Sequence, residues 1–302
     1  MPSSPKLFVT GATGQLGNLV IETLLETVAA RSIVAGVRDP AKPSAVALRD
    51  QGVAVRIADY SRPDTLSSAF EGVDRLLLVS GSEIGQRTDQ HRNVIAAATG
   101  AGVGLIAYTS ILRADTSPLF LAQEHRDTEA ALAESGVPFV VLRNGWYNEV
   151  FTWRLPLALK SGVLLGAAGD GRTSAAARAD YARAAAAVLA TDGHAGQMYE
   201  LAGDASFTLS DLAALVAEAS GRPMTYHNMT AEQFRSASLD AGIPEIFAKI
   251  LSDTDAGVAK GALLDESGTL ARLIGRPTAP IRSTITAFMQ SLDAPGQAAS
   301  HA

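Results

Sequence analysis

The residues best suited to chemistry stand near the N-terminus, in the run Thr10-Gly11-Ala12-Thr13-Gly14-Gln15-Leu16-Gly17. Its three glycines, spaced GxxGxxG, follow a short apolar run and open a helix-like segment. In that setting a glycine turn cradles the pyrophosphate of a dinucleotide. Gly11 permits the tight turn, Gly14 lets backbone amides approach the anion, and Gly17 allows close helix packing. Free amides and the helix dipole then favour negative charge at the start of the helix. Gly11, Ala12, Thr13, Gly14, Gln15 and Leu16 form the expected cradle.

A second group of residues bears on which dinucleotide binds. The next strand-like run ends at Val37, and Arg38-Asp39-Pro40 follows. An acidic residue at such a strand tip accepts hydrogen bonds from a ribose 2′-hydroxyl, whereas an arginine pairs with a 2′-phosphate. Arg38 comes first, so the reading is NADPH, with a solvated loop arginine as the alternative. Asp39 can cap the following turn instead. Tyr60 ends the third strand-like run, where its ring either flanks the adenine or is an ordinary surface tyrosine. Ser80, Gly81 and Ser82 follow the fourth run, and their small size leaves room for a ribose.

What is missing narrows the chemistry further. A carbonyl or alcohol dehydrogenase of the usual short-chain type needs Tyr-x-x-x-Lys, in which the lysine lowers the tyrosine pKa. Four residues after Tyr60, Tyr108, Tyr147, Tyr181, Tyr199 and Tyr226 stand Asp64, Leu112, Phe151, Ala185, Gly203 and Thr230. That mechanism is therefore not expected. There is no Gly-x-Ser-x-Gly elbow, no His-Glu-x-x-His and no cysteine. The histidines His91, His125, His194, His227 and His301 are dispersed, which argues against a metal site. His91-Arg92-Asn93 reads as a polar helix face near a sheet rim, and Met224–Met229 as packing.

These residues need a scaffold, and the chain supplies an alternating one. Strand-like runs at Lys6–Thr10, Ser32–Val37, Ala54–Ala58, Arg75–Val79, Leu105–Thr109 and Phe139–Leu142 are apolar and rich in branched side chains. Helix-like stretches at Gln15–Val28, Pro43–Gln51, Pro63–Phe70, Arg87–Ala101 and Leu121–Ser135 lie between them. The alternation predicts an α/β fold: a doubly wound parallel sheet of Rossmann type, with a smaller, mostly helical C-terminal lobe. The expected division is 1–150 for the nucleotide domain, joined again by 179–203 and 275–293. Residues 151–178 and 204–274 would form the smaller lobe, and 294–302 a disordered tail.

Within the second half, Phe151–Lys160 reads as one helix and Val163–Gly171 as a strand and turn. Asp180 reads as the N-cap of a helix over Tyr181–Ala190. Gln197–Ala202 reads as a further strand of the main sheet. Thr208 with Asp211, and Thr230 with Gln233, read as capping boxes, and Phe207 with Leu212 as a hydrophobic staple. Helices are expected to fill most of the rest, to Met289.

Composition sets the outer bounds. The 302 residues are 47% hydrophobic and 6% aromatic, enough for a sizeable core lined by Ala, Val and Leu. Net charge is −6 without a basic run, so nucleic acid is not an expected partner. No run is long and apolar enough for a membrane span or a signal peptide, and the expectation is a cytoplasmic protein.

Further motifs carry a resemblance. They are Val37–Lys42, Gln86-Arg87 with Gln90–Ile95, Ile106–Ser110, Ala114–Pro118, Leu142–Tyr147 and Gly166–Gly171. With the glycine turn, they make the chain resemble the NmrA-like atypical short-chain dehydrogenases. Within these it is most similar to the flavin-free bacterial NAD(P)H:quinone oxidoreductases, with triphenylmethane-dye reductases as near relatives. The resemblance spans Lys6 to about Leu292. It implies hydride transfer from NADPH to a small-molecule quinone, without flavin. A non-catalytic NADP-binding redox sensor, or a reductase of another electrophile such as a dye, stays open, as does a homodimer. The resemblance places Asn144 beside the nicotinamide, where it binds substrate or carboxamide unless it merely caps a turn. His125 stands at the family's lysine position and Leu121 at its tyrosine position. His125 is thus a candidate proton source, alongside water or a bound hydroxyl. Trp146, Tyr147 and Phe151 are either a flat apolar wall for the substrate ring or core packing.

Overall fold

The computed structural model describes residues 4–293; the expected disordered tail lies outside the described residues. The first part of the chain alternates as its hydrophobic runs require. It forms β1 (Leu7–Val9), α1 (Gln15–Leu25), β2 (Ile33–Val37), α2 (Pro43–Asp50), β3 (Ala54–Ile57) and α3 (Pro63–Ala69). It continues with β4 (Arg75–Leu78), α4 (Arg87–Gly100), β5 (Leu105–Ile111), α5 (Ala122–Glu134) and β6 (Phe139–Asn144). Then follow α6 (Asn148–Thr152), α7 (Leu155–Ser161), β7 (Val163–Gly166), α8 (Arg178–Ala190), β8 (Met198–Leu201) and α9 (Leu209–Ser220). The chain closes with β9 (Thr225–Asn228), α10 (Ala231–Asp240), α11 (Glu245–Val258), α12 (Thr269–Ile274) and α13 (Ile281–Asp293).

Two compact units result. The first comprises, among the described residues, 4–115, Leu121–Asn144 and Ala179–Leu201. It holds a seven-stranded sheet in the order β3-β2-β1-β4-β5-β6-β8, every pair parallel. The central strands β1, β2 and β5 are buried throughout, as apolar strands covered on both faces must be. The edge strands β3 and β8 are partly exposed. One core cluster packs Phe8, Phe70, Leu76, Ile106, Tyr108 and Val141, with Phe8 and Phe70 edge to face at 5.0 Å. Strand order reverses between β1 and β4, and ligands of such sheets bind at the carboxyl ends of the strands flanking that reversal. The doubly wound α/β expectation holds, including a return of the chain to the sheet as β8.

The second unit comprises Thr116–Phe120, Gly145–Arg178 and, among the described residues, 202–293. A two-stranded parallel sheet of β7 and β9 packs with α9 and α10, and α13 packs on α9 and α6. Both capping boxes form: Thr208 Oγ1 accepts from the Asp211 amide at 3.0 Å, and Thr230 Oγ1 from the Gln233 amide at 3.2 Å. Phe207 and Leu212 are both buried, as a staple requires.

Three local expectations need correction. Phe151–Lys160 is two helices, because Pro156 at the second position of α7 cannot continue α6 past Thr152. Asp180 is no N-cap; α8 starts at Arg178, so Asp180 lies in its first turn and is fully buried. Thr225–Asn228, within the Met224–Met229 run read only as packing, is a strand. Its side chains are mostly exposed and polar, so backbone pairing with β7 defines it rather than a hydrophobic pattern.

Candidate active site

The site begins where β1 runs out. Thr10 is fully buried, and its hydroxyl donates to the Leu77 carbonyl at 3.0 Å and accepts from the Val79 amide at 2.9 Å. Tyr60 brings its hydroxyl to the same Thr10 oxygen and lies 2.8 Å from the Val79 carbonyl. Tyr60 is therefore not an ordinary surface tyrosine; it ties the exit of β3 to the exits of β1 and β4.

The glycine turn follows. Gly11 takes φ +57°, the left-handed region open to glycine. The Gly14 amide donates to the Gly11 carbonyl at 2.9 Å, and the Ala12 amide to the Gly36 carbonyl at 3.1 Å. Gly14 is the N-cap of α1 and brings no capping side chain, so the first-turn amides at Gln15 and Leu16 lack an intrahelical acceptor. Gly17 has a sharper reason than general packing against a strand. A Cβ there would stand 2.4 Å from the Gly11 carbonyl oxygen, so the helix packs on the turn itself. Ala12 is buried, Thr13 half-buried and Gln15 exposed.

Arg38 leaves β2 into solvent, and its Nη1 pairs with Glu83 Oε1 at 3.0 Å. Asp39 turns away into its own loop, accepting from the Ala41 amide at 2.9 Å. At the exit of β3, the Ser61 hydroxyl bond, and to a lesser degree the Arg38 charge, hold the Asp59 carboxyl below its usual range.

The loop after β4 is pinned along its length. The Ser80 amide donates to Thr109 Oγ1 at 2.8 Å. The Gly81 amide donates to His91 Nε2 at 3.0 Å, and Arg87 Nε to the Gly81 carbonyl at 2.7 Å. Glu124 accepts from the Gly85 amide at 2.8 Å and from Arg87 at 3.0 Å. Ser82 is exposed on this loop. His91 is thus not on a polar helix face. It is fully buried, and burial, then the Arg87 charge, push its pKa down to about 3. Because Nε2 accepts from Gly81, the proton sits on Nδ1, which donates to Thr128 Oγ1 at 2.9 Å. Asn93 donates to the Tyr60 carbonyl at 2.9 Å, and Arg92 is exposed. The i, i+3, i+4 spacing of Arg87, Gln90 and His91 on α4 was the available signal for this cluster.

His125 and Asn144 occupy the ends of α5 and β6. His125 lies in the first turn of α5, buried, with Nδ1 2.7 Å from the Tyr108 hydroxyl. Burial, helped by Arg87 and His91, drives its pKa well below the ordinary imidazole value. Asn144 ends β6 and accepts from the Leu112 amide through its backbone carbonyl at 2.9 Å. Its side chain is buried, and Oδ1 has no hydrogen-bond partner. A buried orphan acceptor is costly unless something outside the chain donates to it. Beside it, Arg143 bonds Glu129 at 2.7 Å and Glu200 at 2.9 Å, and Ser110 donates to Glu129 at 2.6 Å. That buried ion cluster, which the residue types alone did not reveal, fixes β5, β6 and β8 at their carboxyl ends.

In the second unit, Tyr147 is half-buried with the Arg178 guanidinium 4.8 Å from its ring centre. Trp146 is half-buried, and its carbonyl accepts from the Ala176 amide at 3.2 Å. Phe151 is buried edge to face against Phe207 at 5.1 Å.

These residues fit a phosphorylated dinucleotide. The turn leaves no room for a Cβ at Gly17, the first amides of α1 lack acceptors, Arg38 offers a guanidinium, and Asn144 offers an unpaired oxygen. Among the described residues, no cluster could hold a metal ion and no helix is long and apolar enough to cross a membrane.

Comparison with known proteins agrees. A family model described as NAD(P)H-binding matches residues 11–192. Quinone oxidoreductase 2 of Escherichia coli is 53% identical over 278 residues, covering 92% of this chain and 96% of that protein. The crystal structure of an E. coli NADPH-dependent quinone oxidoreductase with NADPH superposes with a TM-score of 0.91 at 52% identity, covering 93% of this chain and 99% of that one. The Citrobacter sp. triphenylmethane reductase with NADP(H) gives 0.89 at 38% identity, covering 93% and 99%. The chain belongs to the NAD(P)H-binding family.

Proposed function

We propose that this chain is an NADPH-dependent quinone oxidoreductase that works without flavin and without a Tyr-x-x-x-Lys pair. The 53% identity with quinone oxidoreductase 2, sustained over 92% of the chain, carries this reading. The bound nicotinamide supplies the hydride. A quinone is electrophilic enough to accept it with little acid catalysis, so the protein's work is mainly positioning.

Each residue then has a task. The turn from Gly11 to Leu16 holds the pyrophosphate, and Arg38 binds the 2′-phosphate. Ser80, Gly81 and Ser82 lie along the ribose, with Gly81 fixed by His91 and Arg87. Tyr60 supports the floor of the adenine end through Thr10. Asn144 Oδ1 accepts a hydrogen bond from the carboxamide and so orients the ring. Trp146 and Tyr147 supply the apolar surface for the quinone, whereas Phe151 is buried against Phe207. His125 is held neutral by burial, and in the tautomer that accepts the Tyr108 hydroxyl at Nδ1 its proton sits on Nε2. Such an imidazole stabilises a reduced oxygen as a hydrogen-bond donor.

Purified, colourless protein should oxidise NADPH when simple quinones are added. Tight NADPH binding without turnover of any quinone would refute the proposal. The 38% identity to a triphenylmethane reductase supports a second substrate class only weakly, and the same panel should include triphenylmethane dyes.

A further inference from the structure

We propose that Glu83 sets how strongly this site prefers NADP(H) over NAD(H), by competing with the 2′-phosphate for Arg38. The inference rests on the reading that Arg38 binds that phosphate. The two residues are 45 positions apart in sequence, and their side chains meet at 3.0 Å. The contact is built rather than incidental. The second carboxylate oxygen of Glu83 accepts from Gln90 Nε2 at 2.8 Å, and Gln90 is buried on α4. The flanking backbone is fixed at Gly81 by His91 and Arg87, and at Gly85 by Glu124. Glu83 is therefore held at the guanidinium from both sides of its loop.

The chemistry of the two nucleotides then separates. A phosphate monoester at Arg38 must displace or share the guanidinium with a carboxylate, and it meets a like charge there. A ribose 2′-hydroxyl meets no such competition, and a carboxylate accepts a hydrogen bond from it. Glu83 thus taxes NADP(H) and spares NAD(H). Both side chains are largely exposed, which keeps the effect moderate and sensitive to salt.

The test is a set of calorimetric dissociation constants for NADP⁺ and NAD⁺, measured on the native chain, Glu83→Gln, Arg38→Ala and the double variant. Glu83→Gln keeps the shape and the Gln90 neighbour but removes the charge. It should tighten NADP⁺ by about three- to tenfold at low salt, a surface-pair effect plus relief of repulsion, and leave NAD⁺ unchanged or weaker. The gain should disappear in the Arg38→Ala background, because it acts through that guanidinium. An unchanged NADP⁺/NAD⁺ ratio in Glu83→Gln, or a gain that survives loss of Arg38, overturns the role of Glu83 alone. Equal losses for both nucleotides in Arg38→Ala overturn the reading of Arg38, and the Glu83 proposal with it. Both positions face solvent, and a matching thermal midpoint verifies that each variant is folded.

Discussion

The Tyr108 hydroxyl lies 2.7 Å from Nδ1 of His125, and both side chains are buried. In the proposed reaction this pair would take the place of the missing Tyr-x-x-x-Lys pair. The tyrosine is on β5 and the imidazole in the first turn of α5. His125→Ala should lower kcat for quinone reduction by about ten- to a hundredfold, the value of a hydrogen bond to a developing charge, with a small change in NADPH affinity. Tyr108→Phe should reproduce part of that kcat loss without raising KM for NADPH. Steady-state kinetics on both variants checks this; a pure KM effect would assign the pair to cofactor binding instead.

Acid should destabilise the fold through His91. The folded chain keeps this imidazole neutral down to about pH 3, while the unfolded chain protonates it near 6.5. Between those values the unfolded state binds more protons, so stability rises with pH and is lost as the solution is acidified. The contribution of this one group has a limiting slope of about 1.4 kcal/mol per pH unit. His125, shifted in the same direction, adds to it. Urea midpoints between pH 4 and 8, compared with those of His91→Gln, should show a flatter acid limb in the variant.

Gly17→Ala should damage cofactor binding more than it damages the fold. Its new methyl group meets the Gly11 carbonyl at 2.4 Å, so the turn must open. Overpacking of this kind costs about 1–3 kcal/mol, and the turn it displaces is the proposed phosphate seat. We expect at least a tenfold loss of NADPH affinity by calorimetry, beside a thermal midpoint lowered by several degrees.

Asn144 should trade stability against activity. Replacing it with Leu removes a buried oxygen that has no partner in the chain, at similar volume. The variant should be as stable as the native protein or more stable by about 1 kcal/mol, because an unsatisfied polar atom is lost. Its quinone turnover should fall at saturating NADPH. Loss of stability together with full activity would show that Asn144 serves the fold alone.

The parts of this protein that were legible in its sequence are those written locally. The glycine turn, Arg38 and the capping pairs Thr208–Asp211 and Thr230–Gln233 each lie within a few residues of one another. The alternation of apolar runs likewise carried the parallel sheet. The unread parts depend on distance. Glu83 meets Arg38, Arg143 meets Glu129 and Glu200, and Tyr60 meets Thr10 only once the sheet has assembled. His91 read as a surface residue because its acceptor role needs the Gly81 amide, which no spacing rule supplies. β9 was missed because Thr225–Asn228 has polar, mostly exposed side chains, so its backbone bonds leave no periodic trace. The break between α6 and α7 did have a signal, in Pro156.

The close approach at Gly17 also bears on how this site can change. The proposed phosphate seat is made of backbone, and its helix touches its own turn, so almost no side-chain substitution can retune it without breaking it. Arg38 and Glu83 stand in solvent, where exchange costs the fold little. A laboratory effort to redirect nucleotide choice is thereby channelled to the rim of the proposed site, with the seat left intact.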